Sequence, residues 1–193
     1  MMKQYEGTLG SCEYDDALWR LDEIENCLRY IGEDKKVILP KGCTSCKCMF
    51  TELATTNELD LSEFDTTGVT DMSYMFYTCD ILDKIDVSKF DTSMVTDMTC
   101  MFDGCLRVKQ LDVRGFDTSK VSNMHSMFAN CSLLEEVVMD TFNTSLVEDM
   151  SCMFANCEKL SKLNVSGFDT SKVSNMESMF AFCKELTSLD VSG

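Results

Sequence analysis

The 193-residue sequence is poor in cations and in histidine. Its 17 Lys and Arg are outnumbered by 33 Asp and Glu, which gives a formal net charge of −16. This deficit argues against nucleic-acid binding and against an anionic membrane surface as partner, because both depend on cationic contacts to phosphate. The charge instead predicts a protein partner with a basic surface.

Motifs of common active sites and cofactor sites are absent as well. The sequence has no Gly-rich phosphate loop, no Gly-x-Ser-x-Gly and no histidine pair at metal-ligand spacing. The one histidine, His125, shares its repeat position with polar residues such as Ser73 and Thr99, so we expect a solvated residue on an outer face. The sequence therefore predicts a protein that is not an enzyme and needs no cofactor.

Long apolar runs are also missing. No stretch of signal-peptide length, no lipobox-like segment and nothing close to a membrane span occurs in the sequence. As given, the chain is therefore expected in the cytoplasm, or at the surface or secreted if a leader has been removed.

The sequence does contain a repeat with a period of 26 residues. A fixed period in this range is typical of solenoids, in which each unit packs only on its neighbours. One column of positions, spaced by 26 residues, is Phe in all six repeats. A Met precedes each Phe of this column, and a Cys follows five of the six at a distance of three residues. That column consists of Phe50, Phe76, Phe102, Phe128, Phe154 and Phe180.

Each unit has two periodicities. Alternating apolar residues, as in Leu-Asp-Val at 111–113, predict a strand, and a Phe-Asp-Thr-Ser turn follows. Met72, Met75, Phe76 and Cys79 then lie at i, i+3, i+4 and i+7, the spacing of one helix face. The predicted fold class is an α/β solenoid of leucine-rich-repeat type, with parallel strands on one face, short helices on the other and an N-terminal helical cap.

The segment Val-Thr-Asp-Met-Ser-Tyr-Met-Phe at 69–76, preceded by Phe-Asp-Thr and followed by Cys, resembles the BspA-like bacterial leucine-rich repeats. The same repeat is found in mycoplasma lipoproteins, and the resemblance covers about residues 37–193. Members of that family are mostly surface or secreted binding proteins, often called adhesins. The resemblance therefore implies a partner-binding role and names no partner.

Two regions are predicted: a cap at 1–36 and an array of about six repeats at 37–193, the first of them degenerate. Within the cap, residues 14–31 show helical spacing of apolar residues and are predicted to form an amphipathic helix. No capping helix follows the last repeat, so a homodimer through this uncapped repeat is a further expectation. The apolar positions of the predicted helix are Ala17, Leu21, Ile24, Leu28 and Ile31.

Of the 12 cysteines, the five at 26-residue spacing from Cys79 to Cys183 are interpreted as core residues, whereas Cys100 and Cys152 are expected near the surface. Cys43 and Cys46 form a Cys-x-x-Cys, but they occupy the core positions that Val69 and Met72 hold one period later. Cysteine behaves there as a small hydrophobe. A metal site completed by other N-terminal cysteines is the alternative, and disulfides are not expected, so reduced thiols are predicted. The cysteines that could complete such a site are Cys12, Cys27 and Cys48.

Residues that alternate with the buried strand positions predict the partner-binding surface. Those at the strand centres are mostly Asp and are spaced one strand apart, about 4.8 Å. No local role is apparent for these aspartates, so their mutual repulsion favours a basic partner. Calcium bound along Asp60, Asp86 and Asp112 is favoured less strongly. The predicted partner-binding residues are Glu58, Asp60, Asp86, Asp112, Arg114, Glu136, Asp140 and Asp190.

Two functions follow from these patterns. The first is a non-enzymatic protein-interaction module that binds its partner through the acidic strand face. The second is an acidic inhibitor of phage or mobile-element type that blocks a basic nucleic-acid-binding groove of its target.

Overall fold

The computed structural model describes residues 1–7 and 10–189. Its strands form three small sheets: antiparallel β1–β2–β5, antiparallel β3–β4 and parallel β6–β7. The described residues contain no helix, and hence none long and apolar enough to cross a membrane. The strands are β1 (Met2–Gly7), β2 (Gly10–Asp15), β3 (Trp19–Asp22), β4 (Cys27–Tyr30), β5 (Lys41–Cys43), β6 (Gln110–Asp112) and β7 (Glu136–Val138).

The predicted α/β solenoid with a helical face and a helical cap is therefore wrong. Where short helices were predicted, two residues of each 26-residue unit have a left-handed backbone, such as Tyr74 (φ 57°) and Thr78 (φ 52°). A right-handed helix cannot continue through such residues. The corresponding residues of the other units are Cys48 and Glu52, Cys100 and Gly104, Ser126 and Asn130, Cys152 and Asn156, and Ser178 and Phe182.

Backbone hydrogen bonds in this region run between units. The amide of Phe76 donates to the carbonyl of Met101 at 2.9 Å, and that of Tyr74 donates to Thr99 at 2.8 Å. The amide of Cys79 instead bonds within its own unit, to the carbonyl of Phe76 at 3.2 Å. Amides alternate between these two directions, so each buried turn is joined to the next one and its polar groups are satisfied.

We call the segment with these left-handed residues and inter-unit bonds the coil of each unit; in the unit described above it is residues 72–79. The coil explains the apolar spacing that predicted a helix. The side chains of Met72, Met75, Phe76 and Cys79 are all fully buried on its inner side. Spacing alone does not distinguish the two backbones, because both turn the same residues inward.

Phenylalanine rings and cysteine thiols form the centre of the stack. Successive rings of the column from Phe50 to Phe180 lie 5.2–5.7 Å apart, with interplanar angles of 15° or less. Each thiol of the column from Cys79 to Cys183 donates to the carbonyl of a phenylalanine in the preceding unit, at 2.9–3.3 Å. These cysteines pack as small core residues, and the thiol also satisfies a carbonyl.

The predicted amphipathic helix at 14–31 is likewise absent, and β3 and β4 form a hairpin there. Ile24, a member of the predicted apolar stripe, is 93% exposed at the turn. The carboxylate of Asp22 accepts the amides of Ile24 and Glu25 at 3.1 Å, and Asn26 adopts a positive φ of 51°. Turn-forming residues thus override the helical spacing.

The hairpin covers the first coil of the array. The amide of Tyr30 donates to the carbonyl of Met49 at 2.7 Å. The rings of Trp19 and Tyr30 lie 6.3 and 6.0 Å from that of Phe50. The end of the phenylalanine stack is thereby shielded from water by an antiparallel hairpin instead of a helix.

A disulfide joins Cys12 of β2 to Cys43 of β5, with a Cα–Cα distance of 4.8 Å. The expectation that the cysteines are all reduced is therefore wrong. Within the described residues, no group of three or more His, Cys, Asp or Glu is placed to hold a metal ion. Cys46 is fully buried, in line with its interpretation as a core residue.

Candidate functional site

The strand side of the units is joined in some places and open in others. β6 and β7 pair in parallel, and an isolated bridge continues from Glu136 to Lys162. Among the described residues, no backbone hydrogen bond joins 85–87 to 59–61 or to 111–113. The strand side is thus splayed around residues 85–87.

Two clefts lie where the strand side is splayed. The first, of about 410 Å³, is lined by Glu58, Asp60 and Asp86 among others. The second, of about 670 Å³, is lined by Asp86, Asp112 and Arg114 among others. Asp86 lines both, so we call the pair the acidic clefts.

The structure brings together five of the predicted partner-binding residues and separates the others. Glu58, Asp60, Asp86, Asp112 and Arg114 line the acidic clefts. The others lie beyond the clefts, where the strand side is closed, or outside the described residues. Glu136 contacts Lys162 at 3.6 Å, Asp140 accepts a hydrogen bond from Asn164 at 3.0 Å, and Asp190 is not among the described residues.

The strand-centre aspartates have a local role, contrary to the expectation from the sequence. The carboxylates of Asp60 and Asp86 accept the amides of Ser62 and Ser88, at 3.0 and 3.1 Å. Asp112 accepts that of Arg114 in the same way, at 3.2 Å. The sequence interpretation missed these contacts because the Asp-x-Ser spacing was assigned to the sheet face and not to a turn.

Hydrogen bonds to these carboxylates also favour their charged form. Bonds from Ser62 lower the pKa of Asp60, and bonds from Ser88 lower that of Asp86. Bonds from Arg114 lower the pKa of Asp112. These three carboxylates, which we call the acidic row, are therefore charged at neutral pH without any partner.

Cations of the chain pair with part of this row. Lys84 lies 3.5 Å from Asp86, and Arg114 lies 2.6 Å from Asp112. Both aspartate side chains are 54% exposed. Exposed ion pairs contribute little, so the cations of a partner can replace these contacts at small cost.

Some of the residues that line the clefts were not among the predicted partner-binding residues. Asp83 and Lys89 line the first cleft, and Lys84 lines both. Asp83 accepts hydrogen bonds from Arg107 at 2.8 Å and from Asn57 at 3.3 Å. Their positions beside the strand segment 85–87 are the signal that could have identified them.

His125 is half-buried, and its ring has hydrogen-bond partners that the sequence did not indicate. Its Nδ1 lies 2.7 Å from the hydroxyl of Ser151, and its Nε2 lies 3.2 Å from that of Ser126. The Ser151 hydroxyl in turn donates to Asp149 at 2.5 Å. This chain of polar groups links neighbouring units and does not line the acidic clefts.

Stacked 26-residue coils with an acidic, partly open strand side define a repeat protein. The chain belongs to the family described as Mycoplasma protein of unknown function, DUF285, whose profile matches residues 44–138 and again residues 107–192. No curated protein matches the chain.

A solved structure, a leucine-rich repeat protein from Bacteroides ovatus, is similar at 15% identity and a TM-score of 0.40. The match covers 92% of this chain and 52% of that one, so the chain spans about half its length. A likeness at this level carries no argument about fold or function.

Proposed function

We propose that the protein is a non-enzymatic interaction module that binds a basic, extended segment of a partner protein in the acidic clefts. The observation that carries the proposal is the splayed strand side at 85–87, where backbone that pairs with neither neighbouring unit lies between exposed carboxylates.

The open backbone provides the first type of contact. Ile85 and Val87 are buried, at 5% and 2% exposure, while Asp86 between them points to solvent. An extended segment laid in a cleft can pair with backbone groups that the neighbouring units leave unpaired. Main-chain pairing of this kind supplies affinity in many peptide complexes, and side chains supply specificity.

Charge provides the second type of contact. Lysine or arginine side chains of the segment would face Asp60, Asp86 and Asp112 in place of the ion pairs within the chain. The formal net charge of −16 attracts a basic partner over a longer range, which raises the association rate more than the final affinity. Binding is therefore expected to weaken as salt is added.

The resemblance to BspA-like repeats supports a binding role of this kind. The disulfide between Cys12 and Cys43 supports a location at the surface or outside the cell, since such bonds persist in oxidising compartments.

The test is fluorescence anisotropy with a short labelled lysine-rich peptide. In one triple variant, Asp60, Asp86 and Asp112 are changed to Asn. In the control, Asp65, Asp91 and Asp117 are changed to Asn, which alters the charge equally at the same 26-residue spacing on the turns. All six carboxylates accept the amide two residues later, and the Asn amide oxygen can accept the same bond, so both variants remove only the charge.

We expect the strand-side variant to lose at least about tenfold in affinity, which corresponds to 1.4 kcal/mol, and the control to lose much less. Equal losses in both variants would show that only overall charge matters and would contradict a site in the clefts.

The net charge also supports the second function, an inhibitor that occupies a basic nucleic-acid-binding groove. It predicts that the chain displaces duplex DNA from a basic DNA-binding protein such as a histone. Failure to compete at low salt would remove this alternative and leave the first one intact.

A further inference from the structure

A second pair of cysteines lies where the N-terminal hairpin meets the first coil. Cys27 begins β4, and Cys48 belongs to the coil that the hairpin covers. Both side chains are buried, at 0% and 4% exposure. Each thiol is close enough to shift the pKa of the other.

Contacts on both sides place the segments that carry the two cysteines next to each other. On one side, Lys47 forms an ion pair with Glu25 at 3.9 Å. On the other, the amide of Tyr30 donates to the carbonyl of Met49 at 2.7 Å. Residues 25–30 thus run alongside residues 47–49, and the cysteine pair lies between the two contacts.

We propose that Cys27 and Cys48 are a redox modification site, which a low-molecular-weight disulfide such as oxidised glutathione converts into a second cross-link of the hairpin. The column cysteines, of which Cys105 and Cys131 also interact with each other, differ in that each of their thiols donates to a phenylalanine carbonyl.

The exchange takes place in two steps. The thiolate of Cys48 attacks one sulfur of the small disulfide, whose S–S bond breaks and releases one glutathione thiolate. The thiolate of Cys27 then attacks the Cys48 sulfur of the mixed disulfide and displaces the second glutathione. Two protein thiols are oxidised to one disulfide, one glutathione disulfide is reduced to two thiols, and the protons pass to the released thiolates.

The surroundings favour Cys48 as the attacking group. The interaction with Cys27 lowers the pKa of Cys48, and the charges of Lys47 and Arg29 act in the same direction. The same interaction and burial raise the pKa of Cys27. Because both thiols are buried, exchange requires the hairpin to open locally, and its rate should follow that opening.

The test is mass-spectrometric mapping after incubation with oxidised glutathione, alkylation of the remaining thiols and digestion with trypsin. The expected product is the peptide 21–29 joined to the peptide 48–84. The joined peptides 4–20 and 42–47, which carry the Cys12–Cys43 disulfide, serve as the internal control. Cys79 also lies in 48–84, so fragmentation must place the bond at Cys48.

Variants provide the matched comparison. Cys48→Ser should abolish the product, while Cys100→Ser, two periods along in the same column, should leave it unchanged. Oxidation should also raise the melting temperature of wild type by roughly 5–10 °C and leave that of Cys48→Ser unchanged.

Recovery of Cys27 and Cys48 in alkylated form, with the internal control intact, would overturn the proposal. So would a bond from Cys27 to another cysteine that persists in Cys48→Ser. Because the mapping of wild type requires no variant, misfolding of Cys48→Ser would not prevent the test.

Discussion

Two sides of the same coils differ in how adjacent units are joined. On the phenylalanine side, four amides of one unit, from Met72 to Thr78, donate to the next unit, and the same pattern recurs from coil to coil. On the strand side, β6 and β7 are paired, but residues 85–87 are joined to neither neighbour by backbone hydrogen bonds. The phenylalanine side is thus joined in the same way from unit to unit, whereas the strand side is open at 85–87.

A strand segment can be buried without pairing its backbone with the next unit. Ile85 and Val87 are as buried as Leu111 and Val113, yet only the latter segment pairs with the following unit. An inward-facing column of apolar residues therefore defines the core of a unit without closing its outer edge.

The largest expected effect is on the phenylalanine side. Phe102 is fully buried and stacks on Phe76 and Phe128 at 5.5 and 5.6 Å. Changing it to Ala should lower the free energy of unfolding by about 3–5 kcal/mol. In urea titrations the control Phe182→Ala, at a side chain 69% exposed, should change it by under about 0.5 kcal/mol. Similar costs for both would contradict a continuous ring stack.

A smaller effect is expected at a left-handed position. A Cβ on Gly104 (φ +78°) would lie 3.1 Å from the Cα of Thr78, whereas one on Gly68 (φ +79°) would meet nothing within 4 Å. Gly104→Ala should therefore cost about 2 kcal/mol and Gly68→Ala about 1 kcal/mol, measured by thermal unfolding. Equal costs would mean that adjacent coils are not packed closely at this position.

A stabilising change is expected nearby. Burial raises the pKa of Asp103, which accepts a hydrogen bond from Asn130 at 2.7 Å. A carboxyl whose pKa is raised in the folded state makes the protein less stable as pH rises. The loss begins at the pKa of the unfolded state, about 3.9, and is complete above the pKa of the folded state. Asp103→Asn keeps the acceptor and should stabilise the protein by about 1 kcal/mol at neutral pH. The gain in stability should vanish in acid, which urea titrations at several pH values would measure. A gain that persists in acid would contradict this role of Asp103.

The smallest effect on stability is expected on the strand side. The pKa values of Asp60, Asp86 and Asp112 are lowered, so their contribution is present above about pH 3.9 and is lost as pH falls through their folded-state values. Because these side chains are exposed, the triple Asn variant should melt close to wild type at neutral pH. A large loss of melting temperature would show that the row is structural.

The sequence predicted the buried columns, including Met72 and Phe76, but not the backbone that carries them. Asn and Gly favour left-handed conformations, and Gly104, Asn130 and Asn156 recur at one such position. That recurrence was the signal against a helix. In the cap, Asp22 and Asn26 similarly indicated a turn within the apparent helical spacing.

Part of the candidate site was also predictable. Alternation along the strand segments identified Asp60, Asp86 and Asp112 as exposed. The splay could not be predicted, because the sequences at 85–87 and 111–113 have the same apolar-Asp-Val pattern in the open and in the closed unit. Which of them pairs depends on contacts between units that the pattern does not encode.

Amide hydrogen exchange tests the central claim most directly, by comparing residues 85–87 with the coil residues Met98, Cys100 and Phe102 in one sample. We predict fast exchange at 85–87 and strong protection at the three coil amides, which bond to the next unit. Adding the lysine-rich peptide should slow exchange at 85–87 in wild type and not in the triple Asn variant of the strand side. Protection at 85–87 equal to that of the coil amides in the free protein would contradict an open strand side and the binding site placed there.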